Sequence, residues 1–176
     1  MTIIKNDDET VSEKELIEPS VNKIEWMYKF YLLAYESQFS LPKKRNLMTA
    51  TLSYELWGWR VVGISPNAVI AIAKNNYNLP VGLQRDHCKQ TRRDTFNKIF
   101  KSKFTLNNWW KEVWENDVTL LMTKDEHHNK LITEKDCFDV DYKQGYFRNK
   151  AGPGMHFKKS FEGDFVKSLF LKITDI

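Results

Sequence analysis

The stretch that decides the fold reads NDVTLLMTKDEHHNK, residues 116–130. Its first half is β-branched and apolar, which predicts a short strand over 118–122. Thr123 can then cap a helix over 124–133, because Glu126 follows three residues later as in a capping box. We therefore expect a strand that leads directly into a helix carrying two adjacent histidines.

A partner strand is expected upstream, where residues 81–88 read VGLQRDHC. Asp86 and His87 lie near its end. Between the two strands the spacing of apolar residues predicts two helices, over 91–101 and 106–114. The pair of strands is thus predicted to enclose a long helical insertion.

Helical patterns dominate the residues before 80. Ser20 is a plausible N-cap for an amphipathic helix whose apolar residues recur at spacings of three and four as far as Tyr35. The following stretch predicts, in chain order, a basic loop over 41–45, a helix over 47–57, a short strand over 59–64 and a helix that begins at Ser65 and Pro66. The five Trp residues at 57, 59, 109, 110 and 114 are expected to be mostly core residues rather than a base-stacking platform.

Together these patterns predict an α+β fold in three parts. Residues 1–18 are expected to be a flexible acidic lead, residues 19–80 a helical region, and residues 81–176 the part that carries the two strands. Near the C-terminus, the residues around Gly152 and Pro153 predict a turn-rich loop, and 161–171 has helical spacing.

Charge is unevenly distributed along the chain. The net charge is +4, yet residues 1–18 hold two Lys against six Asp or Glu, so the rest of the chain is strongly basic. A basic body favours a polyanionic partner, of which nucleic acid is the commonest. A basic but functionally neutral surface is the alternative.

Cysteine and hydropathy patterns exclude several classes of protein. Cys88 and Cys137 form no CxxC pair, which excludes a four-cysteine zinc site and argues against a disulfide-stapled secreted fold. The N-terminus has no signal-peptide pattern, and the apolar run 68–73 is too short to span a membrane. We expect an intracellular, cytoplasmic protein with no membrane partner.

An Asp-His pair on one strand, an Asn before a second apolar strand and a His on the next helix occur here in that order. This order, in Asp86, His87, Asn116 and His127, resembles the HNH or ββα-metal nuclease superfamily, which includes restriction, homing and phage endonucleases. The resemblance covers about a quarter of the chain. It implies an HNH-like ββα-metal core with a basic C-terminal extension in 81–176, and a recognition or dimerisation role for the helical region.

The resemblance also implies roles for these residues. His87 would be the general base, since a neutral imidazole with a pKa of about 6.5 can take a proton from water, and Asn116 would position the catalytic loop. Asp86 and either His127 or His128 would bind one divalent cation. Mg²⁺ is the first expectation because it prefers oxygen ligands, while Mn²⁺, Ni²⁺ and Zn²⁺ also suit imidazole.

Neighbouring residues on a helix point about 100° apart, so only one of the two adjacent histidines can face the cation. His127 stands three residues before Lys130, as in the family's His-x-x-Lys ending, and is preferred over His128.

Basic residues on both sides of this segment are expected to bind DNA phosphates. They are Arg85, Lys89, Arg92, Arg93, Arg148, Lys150, Lys158 and Lys159. The predicted function is a metal-dependent endonuclease that hydrolyses DNA, and cutting a palindrome would require a homodimer. The alternative is a non-catalytic nucleic-acid-binding protein, in which the histidines are ordinary helix and strand residues.

Overall fold

The structure is a computed structural model that describes residues 18–150 and 154–174. Nearly all of the predicted acidic lead, and Gly152 with Pro153, lie outside these residues. The described helices are α1 (Val21–Glu36), α2 (Leu41–Ser53), α3 (Pro66–Lys74), α4 (Arg92–Ile99), α5 (Leu106–Asn116), α6 (Lys124–Asn129) and α7 (Asp164–Thr174). The strands are β1 (Arg60–Ile64), β2 (Leu83–His87), β3 (Val118–Thr123) and β4 (Phe138–Asp139). The predicted α+β class is confirmed at this level.

The four strands form one mixed sheet in the order β2-β3-β1-β4. β3 runs parallel to β1 and antiparallel to β2. Its register sets Asp86 opposite Leu120 and His87 opposite Thr119. β2 is an edge strand paired only with β3 within the described sheet, and β3 continues directly into α6. The predicted strand pair and the helix after it are therefore present.

Apolar side chains gather in two cores. The sheet core joins β1, α3, β3 and α7, for example through Ile64, Ile72 and Leu121. The helical core joins α1, α2, α4 and α5, with Tyr31 and Trp109 among its fully buried side chains. The fold thus has a helical layer packed beside a sheet that has its own helices.

The two cores are interleaved along the chain, unlike the predicted division at residue 80. β1 and α3 come before residue 80 but pack in the sheet core, whereas α4 and α5 come after it but pack in the helical core. The predicted insertion therefore completes the N-terminal helical layer. Short helices must bury an apolar face against whatever lies nearby in space, which local spacing does not reveal.

Three helices begin at the N-cap residues predicted from the sequence, which are Ser20, Ser65 and Thr123. Ser20 accepts a hydrogen bond from the backbone N–H of Lys23, and Ser65 accepts one from that of Ala68. Thr123 and Glu126 form the expected capping box. These side chains satisfy backbone donors that a helix start leaves unpaired.

Several element boundaries differ from the sequence expectation. The helix expected to reach residue 57 ends at Ser53, and the helical spacing over 161–171 corresponds to α7 at Asp164–Thr174. Two further differences have a local cause. Residues 41–45 begin α2 rather than form a loop, because Pro42 sits in the first turn, where its missing N–H is not needed. α6 ends at Asn129 instead of 133, because Lys130 adopts a left-handed conformation with φ 48°. None of the described helices is both long and apolar enough to cross a bilayer.

The tryptophans behave largely as expected. Trp57 and Trp109 are buried, whereas Trp110 and Trp114 are half-buried at the edge of the helical core. Trp59 alone of the five lies by the cleft described below.

A buried ion pair joins the two cores. The Arg92 guanidinium donates from Nε to Asp117 Oδ1 at 2.7 Å and from Nη2 to Oδ2 at 2.9 Å. Asp117 also accepts the backbone N–H of Trp59 at 3.0 Å, and Arg92 donates to the Ser53 hydroxyl. Only 6% of Arg92 and 2% of Asp117 is exposed. The pair therefore holds the end of α2, the start of β1, α4 and the α5–β3 junction together.

Replacing one partner of this pair should destabilise the protein strongly. Asp117→Asn leaves the Arg92 charge buried without a counterion, a change that typically costs about 3–5 kcal/mol. Urea unfolding followed by tryptophan fluorescence measures it. Glu36→Gln, which breaks the exposed Lys103–Glu36 pair, is the control and should leave the free energy of unfolding almost unchanged. Equal stability of both variants would contradict the assigned role.

The same variant should alter the acid sensitivity of the fold. Burial opposes ionisation of Asp117, but the charge and hydrogen bonds of Arg92 outweigh it and lower the pKa of the carboxyl below its usual value. A carboxyl whose pKa is lowered by folding contributes its full stabilisation at pH values above the unfolded-state pKa of about 3.9. This contribution to the free energy of unfolding is lost as the pH falls through the lower pKa of the folded state. The difference in free energy of unfolding between wild type and Asp117→Asn should therefore become smaller when urea unfolding is measured at pH 3 instead of pH 7.

Candidate functional site

Two of the predicted ligands lie side by side. Asp86 is near the end of the edge strand β2, and His127 is on α6. Asp86 Oδ2 and His127 Nδ1 are 3.2 Å apart, and the two side chains are 39% and 34% exposed. The two atoms are close without being aligned as a hydrogen bond, since His127 Nδ1 has no hydrogen-bond partner among the described residues. The carboxylate and the imidazole nitrogen thus meet at one position where Nδ1 itself is shielded from solvent, while the rest of each side chain is partly exposed.

Glu126 fixes the helix that carries His127. Its carboxylate accepts from the Ser65 hydroxyl at 2.7 Å and from the Asn67 amide at 2.9 Å. It also accepts the backbone N–H of Thr123 at 2.9 Å, which closes the capping box. Glu126 is 3% exposed. The short α6 is therefore tied to the turn between β1 and α3 and cannot rotate freely.

The ionisation of Glu126 agrees with this anchoring role. Burial would raise the pKa of the carboxyl, but hydrogen bonds from Thr123, Ser65 and Asn67 outweigh it and lower the pKa. The residue stays charged at neutral pH and acts through the helix it holds.

His87 follows Asp86 and points to the other side of β2, as successive strand residues do. Its ring stacks on Trp59, with centroids 4.7 Å apart and an interplanar angle of 27°. Burial lowers the pKa of His87, a change that the nearby Asp117 carboxylate partly opposes. Its Nδ1 is buried without a hydrogen-bond partner in the described part of the chain. The imidazole is therefore held neutral and in a fixed orientation near neutral pH.

Trp59 has an unusual backbone conformation for a bulky residue. Its φ is 55°, in the left-handed region, which costs on the order of 1–3 kcal/mol for a residue with a side chain. The Arg92 guanidinium lies over the Trp59 ring, 4.5 Å from the ring centroid, and forms a cation–π contact with it. The hydrogen bond to Asp117 and this contact keep the ring against His87.

An open cleft of about 550 Å³ extends from His127. The residues around it include Tyr54, Trp59, Gln84, Arg85, His127 and Asn149. The cleft thus joins the Asp86–His127 pair to the end of α2 and to the C-terminal segment of the chain.

Arg85 is partly withdrawn from solvent at this cleft. Its Nη2 donates to Asn149 Oδ1 at 3.1 Å and to the Gly154 carbonyl at 2.8 Å. Its Nη1 is buried with no partner among the described residues. Burial lowers the pKa of Arg85 to about 10, so the group remains charged at neutral pH. One guanidinium nitrogen therefore has an unused N–H that could donate to an anionic or carbonyl oxygen.

The structure separates three predicted site residues from this pair: His87, which lies on the other side of β2, and His128 and Asn116. His128 is exposed, and its ring centroid is 5.6 Å from that of His127 on the neighbouring helix face. The Asn116 amide donates to the Glu112 carbonyl at 2.7 Å and to Glu112 Oε1 at 3.2 Å, both within α5. Asn116 thus ends helix α5 and bonds within that helix. It is its neighbour Asp117 that holds another segment in place, through the backbone N–H of Trp59.

The eight predicted phosphate contacts divide into a buried, a half-buried and an exposed group. Arg92 departs from the expectation, because it is buried against Asp117 and its guanidinium supports the fold. Arg85 and Arg148 are half-buried, and Arg148 Nε has no hydrogen-bond partner among the described residues. The remaining lysines and arginine of the set are exposed and available to a polyanion, namely Lys89, Arg93, Lys150, Lys158 and Lys159.

Sequence reasoning missed the contributions of Tyr54, Trp59 and Asp117 to this region. Trp59 and Tyr54 carry no motif and reach the cleft only through folding, so no sequence signal marks them. Asp117 was visible beside Asn116, and an acidic residue immediately before a buried strand could have suggested a buried ion pair.

The described residues contain no group of three or more His, Cys, Asp and Glu side chains that could hold a metal ion. The Asp86–His127 pair would therefore supply two protein ligands at most. Mg²⁺ commonly binds in this way and takes its other ligands from water and substrate phosphate.

Comparison of the chain with protein-family models, with curated proteins and with solved structures finds no match. The function of this chain must therefore be inferred from the geometry of the site itself.

The cause of the lowered pKa of His87 can be tested by removing the Trp59 ring that stacks on it. Trp59→Ala should raise the pKa of His87 toward about 6.5, because solvent then reaches the imidazole. Titration of the histidine Hε1 resonances by NMR measures it, with His87→Phe used to assign the signal. Trp26→Ala, at an exposed tryptophan on α1, is the control. A His87 pKa that does not change in Trp59→Ala would refute burial as the cause.

Proposed function

We propose that this chain is a metal-dependent endonuclease that hydrolyses DNA phosphodiester bonds by a one-metal mechanism of the HNH type. The observation that carries the proposal is the 3.2 Å approach of Asp86 Oδ2 to His127 Nδ1. The two residues come from a strand and a helix 41 positions apart, yet their polar atoms meet beside a cleft, and both side chains are partly exposed.

The order of elements around the pair supports the resemblance. β2 pairs antiparallel with β3, and β3 leads into α6, which is the strand–strand–helix order that the HNH resemblance implies. Asp86 and His87 lie on the first strand and His127 on the helix, as in the family pattern. The helices α4 and α5 are added between the strands and pack away from the site in the helical core.

The donor set fits one hard divalent cation. Two ligands at about 2.1 Å from a cation and at right angles lie about 3.0 Å apart, close to the separation seen here. Asp86 and His127 would hold the ion; the carboxylate and the waters suit Mg²⁺ or Mn²⁺, and the imidazole also suits Ni²⁺ or Zn²⁺. When bound, such a cation stabilises the negative charge that develops on the leaving oxygen.

We assign the role of general base to His87, whose ring lies on the side of β2 opposite Asp86 and packs against Trp59 in the wall of the cleft. Its lowered pKa keeps the imidazole neutral near pH 7, so that it can take a proton from the attacking water. The water oxygen then bonds to phosphorus while the bond from phosphorus to the leaving deoxyribose oxygen breaks. Stacking on Trp59 would hold the ring in one orientation throughout this step.

Exposed cations would provide the nucleic-acid contacts. Lys150, Lys158 and Lys159 lie on the C-terminal segment, and Lys89 and Arg93 lie just beyond β2. Their contacts with phosphate would be independent of sequence and sensitive to salt. The metal pair and the base all come from one chain, so a single protomer could nick one strand, and cleavage of both strands would use a homodimer or two events.

Cleavage of a supercoiled plasmid in Mg²⁺ or Mn²⁺ tests the proposal directly. His87→Ala should slow nicking by at least about 100-fold, which is the usual contribution of a general base. Asp86→Ala and His127→Ala should be as inactive. His128→Ala is the matched control, since it removes an adjacent exposed imidazole, and should cut like wild type.

Binding of plasmid without nicking in any divalent cation would overturn the endonuclease and favour a non-catalytic nucleic-acid-binding protein. Loss of activity in His128→Ala alone would overturn the assignment of His127.

Metal binding can be measured without any substrate. Titration of Mn²⁺ with protein, followed by the EPR signal of the free ion, should show one site. Asp86→Asn and His127→Ala should weaken it by about tenfold or more, whereas His128→Ala should not. A ligand that binds only the folded state also raises Tm, which gives a second readout. Unchanged Mn²⁺ affinity in both ligand variants would place the metal elsewhere.

A further inference from the structure

The cleft beside the Asp86–His127 pair differs from a flat surface that would only track a DNA backbone. It is about 550 Å³ in volume, within the range of about 300–1,000 Å³ for pockets that enclose ligands of nucleotide size. His127 is one of its walls. A phosphate at the metal-binding pair would therefore have a recess next to it large enough for one nucleotide.

Tyr54 gives this recess an available aromatic face. It is the C-cap residue of α2, is 64% exposed and lines the cleft. Trp59, the other aromatic side chain in the wall, already contacts Arg92 and His87. Tyr54 is thus the side chain in this wall that could stack on an unpaired base.

Two side chains in the same wall carry polar groups. The Gln84 side chain lines the cleft beside Arg85, and Arg85 Nη1 lacks a hydrogen-bond partner among the described residues. An amide and a guanidinium can bind the polar edges of a nucleobase, which a paired base in a duplex would present to its partner strand instead. Asn149 is not available, because its amide donates to the carbonyls of Ser53 and Glu55.

We infer that the substrate is DNA with an unpaired nucleotide, single-stranded or extruded from a duplex, next to the cleaved phosphate. The base enters the recess, stacks on Tyr54 and meets Gln84 and Arg85. Taking a base out of a duplex costs unstacking and unpairing energy, and this cost is lowest where the base is already unpaired. This inference rests on the proposed function, which places the phosphate at Asp86 and His127.

Fluorescence anisotropy with labelled oligonucleotides tests the inference, using the wild-type chain in EDTA so that no cleavage occurs. The probes are a single strand, its perfect duplex and the same duplex with one bulged nucleotide. The single strand and the bulged duplex should bind at least about tenfold more tightly than the perfect duplex. Equal affinity for all three probes would overturn the inference.

Variants identify the recess as the source of this preference. Tyr54→Ala should weaken binding of the single strand by at least about fivefold, the lower end of a base–aromatic stacking contact. Tyr54→Phe should retain it, because the ring face is kept. Phe39→Ala is the matched control, an aromatic of similar exposure at 51% outside the cleft. If Tyr54→Ala binds like wild type, or Phe39→Ala loses as much, the recess does not hold the base.

The two proposals fail separately. If the single-strand preference depends on Tyr54 but no divalent cation supports cleavage, the endonuclease is overturned and the recess stands as a binding site. If Mg²⁺-dependent cleavage occurs at equal rates on the single strand, the bulged duplex and the perfect duplex, and Tyr54→Ala leaves those rates unchanged, the endonuclease stands and the unpaired-nucleotide substrate is overturned.

Discussion

The buried ion pair between Arg92 and Asp117 is the interaction on which the remaining structure depends. It joins four segments that are far apart in sequence, and it does so where the helical core meets the sheet. Withdrawing two charges from water is costly unless every hydrogen-bonding position is used. Here both carboxylate oxygens accept and all three guanidinium nitrogens donate, so the pair specifies one arrangement of the two layers.

That arrangement reaches the candidate site through Trp59. Asp117 holds the tryptophan backbone, Arg92 lies over its ring, and the ring in turn packs against His87. On the other side of the site, Glu126 fixes α6 and therefore His127. The proposed base and the proposed ligand are thus each held by a buried carboxylate that has no part in the chemistry. Such support is what a preorganised site requires.

Local features of this chain were predictable because they depend on neighbouring residues. The Thr123–Glu126 capping box and the apolar run before it specify a strand that ends in a helix. The approach of Asp86 to His127 was expected from the family resemblance. The burial of Arg92 was not predictable in the same way, since an Arg in a basic stretch resembles any surface Arg until its partner is known. The interleaved cores were missed for the same reason: α4 and α5 find α1 and α2 only in space.

The left-handed backbone conformation of Trp59 places its ring against His87. A conformation that costs on the order of 1–3 kcal/mol persists only when its surroundings require it. The hydrogen bond from Trp59 to Asp117 and the guanidinium contact offset that cost before any substrate is present. A ring placed in this way shields His87 from water and lowers its pKa. The ion pair that joins the two cores thus also holds the ring that covers His87, so the burial of this imidazole is a property of the folded chain before any substrate binds.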